Sequence, residues 1–231
     1  MGSTGGKKKS KYKTFSSEHI GTHEYESDGG ETNKWFLEHS NAKELYRGLD
    51  EDDGWAFDKW TEGYFMDGTQ YDGFSNMTSR EQEWVKTYDD YIDRSTIDTP
   101  LVVHRRATAE LLFGGGHTHT TEQELRSIMG QDIICKGNLS TGAAAEGLTI
   151  GSHKDIEYEI RIPAGTGYGL WLGNRAINGY WGDQQREFMM SRDLIYRPVA
   201  YEVTGGDGHS RGDAKYKVIL EVVGKMEHDY S

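Results

Sequence analysis

Gln184-Gln185-Arg186-Glu187-Phe188-Met189-Met190 sets an amide, a guanidinium and a carboxylate directly before three large apolar residues. The apolar run predicts a buried strand that opens at Glu187. Gln185 lies two residues earlier, so in a strand it shares a face with Glu187. A carboxylate and an amide standing side by side can act together on one small group. Just upstream, Ala176-Ile177-Asn178-Gly179-Tyr180-Trp181-Gly182-Asp183 reads as a glycine-punctuated loop tipped by Tyr180 and Trp181. Taken alone, the same residues fit an edge strand with solvated polar groups followed by an ordinary loop.

Two earlier polar islands change that balance. Arg105 ends the apolar run Leu101-Val102-Val103, where a guanidinium can fork onto a pyrophosphate or close a salt bridge at a strand end. Gly137-Asn138-Leu139-Ser140-Thr141-Gly142 offers Ser140 and Thr141, which can brace a ribose or a carboxylate, or simply turn the chain. Glu187 has the charge to stabilise a developing cation in a sugar ring.

Other motifs carry less. His117 and His119 follow three glycines, with Glu122 and Glu124 nearby, but no third zinc ligand stands at a standard spacing, so no metal site is expected. The same glycines lack the Gly-Lys-Ser/Thr of a phosphate loop. Arg211-Gly212-Asp213 reads as a turn. Tyr46-Arg47-Gly48 has no apolar strand before it, which leaves Arg105 as the preferred arginine.

The elements that must position these groups can be read in order. Residues 1–33, rich in Gly, Ser and Lys and then in Ser, Glu and His, are expected to form a disordered leader or linker. Some helix is expected between 34 and 54, and mainly helix from 55 to 98. Thr78 and Ser79 offer caps, with Glu81 or Gln82 three residues on, ahead of Trp84, Val85, Tyr88, Tyr91 and Ile92 at helical spacing. Thr121 with Glu124 repeats that signature, and Gly130 stops the helix. From residue 100 the pattern turns to strands: Leu101 to Arg105, Ile133 running toward Ser140, Ile156 to Ile162, Tyr168 to Leu172, Phe188 to Met190, Leu194 to Val203 and Tyr216 to Val222. Helices first and strands after predict an α+β domain spanning 34–231, with a helical lobe at about 34–98 and a β core at about 100–223.

Composition narrows the classes. The chain has 231 residues, one cysteine (Cys135) and a net charge of −12, with a mean hydropathy of −0.78. One cysteine excludes an intrachain disulfide and a cysteine-rich zinc site. No run approaches the about 18 apolar residues of a membrane span, so no membrane partner is expected. Lys7, Lys8, Lys9, Lys11 and Lys13 have no apolar stretch behind them, unlike a secretory signal. Most of the acidity lies between residues 14 and 100, and the remainder is nearly balanced, which disfavours nucleic-acid binding by bulk charge.

Taken in order, these islands resemble the arginine–serine–glutamate class of mono-ADP-ribosyltransferases, the group of cholera-toxin-like and C3-like toxins and their phage relatives. The resemblance runs from about residue 55 to 223. Val102-Val103-His104-Arg105-Arg106 matches an apolar strand ending in Arg-Gly. Gly137 to Gly142 matches Gly-aromatic-x-Ser-Thr-Ser. Pro163-Ala164-Gly165 matches Pro-x-Gly between two strands, and Asn174 to Met190 matches a target-recognition loop followed by Gln-x-Glu. Trp60-Thr61-Glu62-Gly63-Tyr64 is similar to the Tyr-Thr start of the helical lobe. Three positions depart: Asn138 replaces the aromatic, Gly142 the last hydroxyl, and Arg106 the glycine whose backbone meets nicotinamide.

The resemblance implies an ADP-ribosyltransferase-like fold, a helical lobe on a split, antiparallel-rich β core. It also implies transfer of ADP-ribose from NAD, as substrate, to a macromolecular acceptor, with release of nicotinamide. Glu187 would stabilise the oxocarbenium-like ribose and hold its 2′-hydroxyl, Ser140 would fix the Glu187 rotamer, and Arg105 would bind the phosphates. Arg106 and Thr141 would complete the NAD site. Gln185 would favour an asparagine amide or a nucleobase over arginine as acceptor, with Tyr180 and Trp181 contacting the target. The partner would be a protein or nucleic acid, met by a monomer in the cytoplasm of a target cell or in association with a virion. NAD hydrolysis to water, or a non-catalytic module that keeps the fold, remain as alternatives.

Overall fold

The computed structural model describes residues 11–15, 30–47, 74–143, 154–172, 187–208 and 214–231. Among them the helices come first: α1 (Gly30–His39), α2 (Ala42–Arg47) and α3 (Ser79–Arg94). Thr78 accepts from the Glu81 backbone while Glu81 reaches back to the Thr78 N–H, so of the two caps that the sequence offers, Thr78 is the one used. Val85, Tyr88, Tyr91 and Ile92 bury one face of α3, but Asp89 is buried among them and Trp84 is only partly covered. Asn41 ties the α1–α2 turn to the end of α3: its Nδ2 donates to Arg94 O at 2.9 Å, and Thr96 N donates to its Oδ1 at 2.8 Å. Two short helices, α4 (Glu110–Phe113) and α5 (Glu122–Ile128), sit between strands. Thr121 and Glu124 form the second reciprocal cap, and Gly130 takes the left-handed backbone (φ 77°) just past the end of α5.

Eight strands form one mixed sheet in the order β3 (Ile133–Cys135), β9 (Leu194–Val203), β10 (Tyr216–Lys225), β5 (Ile156–Ile162), β2 (Leu101–Ala107), β4 (Leu139–Gly142), β8 (Glu187–Met190), β7 (Gly169–Trp171). Only β5 and β10 run parallel. A separate two-stranded piece joins β1 (Thr96–Ile97) to β6 (Gly165–Thr166). The large sheet is nearly divided. β2 and β5 share seven paired residues, whereas β2 meets β4 through the single pair His104↔Gly142. The α+β organisation and the split, antiparallel-rich core expected from the sequence are both present.

Three differences from the sequence reading have physical causes. Part of the expected leader is packed: Lys13 bridges to Leu101, and Phe15 is buried against Trp35 and Phe36. An aromatic anchor thus secures 11–15, and α1 begins inside the supposed leader at Gly30. The strand expected to run from Ile133 toward Ser140 is two strands: β3 pairs with β9 at one edge and β4 lies between β2 and β8. The break falls where buried Asn138 turns its Nδ2 onto Met190 O at 3.1 Å, so the chain crosses from one half of the sheet to the other. The alternating strand that starts at Tyr216 also continues to Lys225, past a bulge near Gly224. Residues 51–73, with Trp60 to Tyr64, and the Arg211-Gly212-Asp213 turn lie outside the described residues. No described helix is long and apolar enough to cross a membrane.

Candidate active site

The seam where the sheet divides brings three of the singled-out residues together. β2, β4 and β8 are consecutive neighbours, and each contributes one. Glu187 is the first residue of β8 and pairs with Gly142. Ser140, two residues before Gly142, lies on the same face of the ladder, diagonal to Glu187. Its hydroxyl hydrogen-bonds the Glu187 carboxylate. Arg105 of β2 donates from Nη1 to the Ser140 carbonyl oxygen at 2.8 Å. The guanidinium therefore braces the backbone of the residue whose side chain braces the acid. Gly142 places no side chain opposite Glu187, which leaves Ser140 as the lateral support.

Glu187 is 7% exposed. Burial pushes its carboxyl above the usual glutamate range, while the Ser140 hydrogen bond and the Arg105 charge pull it back down. The site thus holds a carboxylate in a dry place with partial compensation. Such an acid is costly to the fold and responsive to a cation placed beside it.

The other predicted residues divide. Thr141 points away from Ser140 along β4, and its hydroxyl donates to Phe188 O at 2.5 Å, fastening β8 to β4. Phe188 stacks on Phe36 of α1, which also stacks on Trp171 at 4.0 Å, so the helical lobe clamps the strand that carries Glu187. Strand alternation sends Arg105 and Arg106 to opposite faces. Arg105 pairs with Tyr158 on the core side, while Arg106 pairs with Glu157. Arg106 is buried, and its Nε and Nη2 have no hydrogen-bond partner among the described residues. Gln185, Arg186, Tyr180 and Trp181 lie outside the described residues, as do residues 144–153, which leave β4.

His117 and His119 are each turned to a carboxylate: His117 Nε2 lies 3.3 Å from Glu124 and His119 Nδ1 lies 2.9 Å from Asp155. The described cavity of about 420 Å³ lies elsewhere, between the α1–α2 turn and β1/β6, lined by Glu38, His39, Glu44, Asp98 and neighbours. None of Arg105, Ser140 or Glu187 borders it.

The sequence reading missed a second charged cluster, built on Asp89, Arg192, Asp193 and His228. Arg192-Asp193 looks like an ordinary turn between two strands. The one available signal was Asp89, an acid on the apolar stripe of α3.

No protein-family model matches the chain, and no curated protein matches it by sequence. Solved structures do match. A C3-type ADP-ribosyltransferase from Clostridium botulinum is 15% identical, with 83% of this chain and 94% of that chain covered at a TM-score of 0.60. An ADP-ribosyltransferase toxin from Paenibacillus larvae is 16% identical, with 83% and 94% covered at 0.61. A C3-type protein from S. aureus, solved with NAD, is 16% identical, with 94% and 100% covered at 0.58. The architecture described above is therefore the fold of these toxins, reached by a distant sequence.

Proposed function

We propose that this chain, with the fold of ADP-ribosylating toxins, cleaves NAD and transfers ADP-ribose to a macromolecular acceptor. The convergence of Arg105, Ser140 and Glu187 on adjacent strands at the sheet seam carries this reading. These are the same three residues that the ordered sequence motifs single out.

The chemistry follows from the geometry. The bond between ribose C1′ and the nicotinamide nitrogen breaks, its electron pair goes to nicotinamide, and the sugar gathers positive charge. The Glu187 carboxylate faces that charge in a place with little water, where a fixed opposite charge acts strongly. Ser140 keeps the carboxylate from rotating and, by hydrogen bonding its ionised form, keeps it charged. The acceptor then attacks C1′ and gives up a proton. Nicotinamide leaves neutral, so no strong general acid is required. Arg105 is the cation for the NAD phosphates, since a guanidinium at the end of this strand can fork onto a pyrophosphate. Arg106, the next residue along the same strand, completes the NAD site. Gln185 selects an amide or nucleobase acceptor, and Tyr180 and Trp181 contact that target.

The test uses NAD labelled in its adenylate half, incubated with protein, RNA and DNA from a bacterial lysate. Wild type should label a macromolecule and Glu187→Ala should not. Labelling retained in Glu187→Ala would remove Glu187 from the reaction. Free ADP-ribose released at one rate with and without the lysate would replace transfer by hydrolysis.

A further inference from the structure

β8 ends at Met190, and the turn Ser191-Arg192-Asp193 that follows is buried throughout. Arg192 is 1% exposed and Asp193 is fully buried, with a left-handed backbone (φ 60°) that few non-glycine residues adopt. Such a turn needs strong local bonds. They come from α3 and from segment 226–231, which follows β10.

From α3, Asp89 Oδ2 accepts Arg192 Nε at 2.9 Å. From the segment, Asp229 O accepts Arg192 Nη1 at 3.2 Å, and Tyr230 OH donates to the same Asp89 Oδ2 at 3.0 Å. The Tyr230 ring lies 4.9 Å from the Arg192 guanidinium and edge-on to Phe74 at 5.0 Å. Met226 N donates to Asp193 O at 2.9 Å. His228 sits in the middle. Its Nδ1 is 3.1 Å from Asp193 Oδ2, and its Nε2 is 3.2 Å from Asp93 Oδ1 and 3.8 Å from Asp89 Oδ1.

A neutral imidazole has one N–H, so it cannot donate to Asp193 and Asp93 at once. An imidazolium can. The charges make the same demand. Asp89, Asp93 and Asp193 face the ring. Arg192 answers Asp89 and Asp193, Lys225 answers Asp93, and Lys136 approaches Asp193 only to 3.7 Å from an exposed position. Asp93 is exposed; within the buried part, Asp89 and Asp193 share one guanidinium until His228 takes a proton.

We propose that segment 226–231 is a proton-operated strap: the His228 imidazolium fastens it to α3 and to the β8–β9 turn, and loss of that proton releases it. Released, the strap uncovers Arg192 and loosens the anchor at one end of the strand whose other end is Glu187. Burial alone would pull the imidazole down. The hydrogen bonds to Asp193 and Asp93 and the field of Asp89 outweigh that burial and the opposing Lys225, so its pKa stands above the usual 6.5. A raised histidine pKa stabilises fully below the unfolded value and loses that stabilisation as pH climbs through the folded one. The strap is therefore tight at pH 6 and loosens toward pH 9.

Amide hydrogen exchange reads this without NAD, so its failure leaves the reading of Glu187 untouched. After correction for intrinsic exchange, protection of the Met226 amide should fall between pH 6 and pH 9 as the ring loses its proton. Tyr158 in the core should hold its protection. In His228→Gln, Met226 protection should be low and flat across the same range. Met226 protection that stays constant in wild type, or that falls equally in His228→Gln, overturns the proposal. So does loss at Tyr158 in parallel, which would mean global unfolding. The His228 ring titrated by NMR in wild type supplies a check independent of any variant: a midpoint at or below the ordinary histidine value also overturns it.

Discussion

The two ends of β8 handle buried charge in opposite ways. At its start, among the described residues, Glu187 is hydrogen-bonded by the Ser140 side chain and lies near a guanidinium that donates to a backbone carbonyl. Two residues beyond its end, Arg192 lies against two carboxylates, a carbonyl and an aromatic ring. Both ends are dry. One acid is left partly uncompensated, and one cation is surrounded. Only the first arrangement has electrostatic capacity left for a ligand's charge. The second uses its capacity to hold a strained turn in place. Burial of a charged group therefore does not by itself mark a reaction centre, and the state of its partners separates the two.

Breaking the surrounded end should have the larger effect. Arg192→Ala leaves Asp89 and Asp193 buried without their guanidinium, a loss that typically costs about 3–5 kcal/mol. Urea unfolding should show this as a large drop in midpoint. A change under about 1 kcal/mol would mean the cluster does not secure the turn. The opposite end should behave differently. Glu187→Gln removes a charge that burial disfavours, so stability should rise at pH 7 while NAD cleavage falls by about 10²–10³, the usual cost of losing one transition-state stabiliser. The stability gain has a sign that pH checks. A raised carboxyl pKa penalises the fold only once the group ionises, so wild type and Glu187→Gln should converge below pH 4.5, the ordinary glutamate value. A stability loss at pH 7 would place Glu187 with the structural charges and erase the contrast.

Much of this contrast was legible in the sequence at one end and not at the other. Glu187 stood out because a carboxylate directly before Phe188-Met189-Met190 breaks an apolar run, and Arg105 did so after Leu101-Val102-Val103. Period-two alternation gave β5 its boundaries, and paired capping residues located the starts of α3 and α5. Arg192-Asp193 broke no pattern, since charged residues between two strands are what a turn usually contains. Its partners are far away in sequence: Asp89 is 103 residues from Arg192, and His228 is 35 from Asp193. No local period encodes such contacts. The division of Ile133 to Ser140 into two strands was hidden for the same reason, because it depends on which distant strand each half pairs with.

The smallest change expected at the site is Ser140→Ala. Its hydroxyl hydrogen-bonds the ionised carboxylate, so removing it leaves burial less opposed and moves the Glu187 carboxyl further up. Wild type should lose NAD cleavage as pH falls through the Glu187 value, because the protonated acid cannot face a cation. In Ser140→Ala that acid limb should shift to higher pH, and the rate on the plateau should drop about tenfold as the carboxylate loses its fixed rotamer. Stability should hardly change, since an acid that protonates more readily relieves its own burial. Arg105 would remain to pull the group down, so the limb should move but not disappear. A kcat/KM profile with the plateau lowered and the limb in place would make Ser140 a positioning residue with no part in charging the acid. A profile altered in neither respect would break the link between β4 and the chemistry at β8.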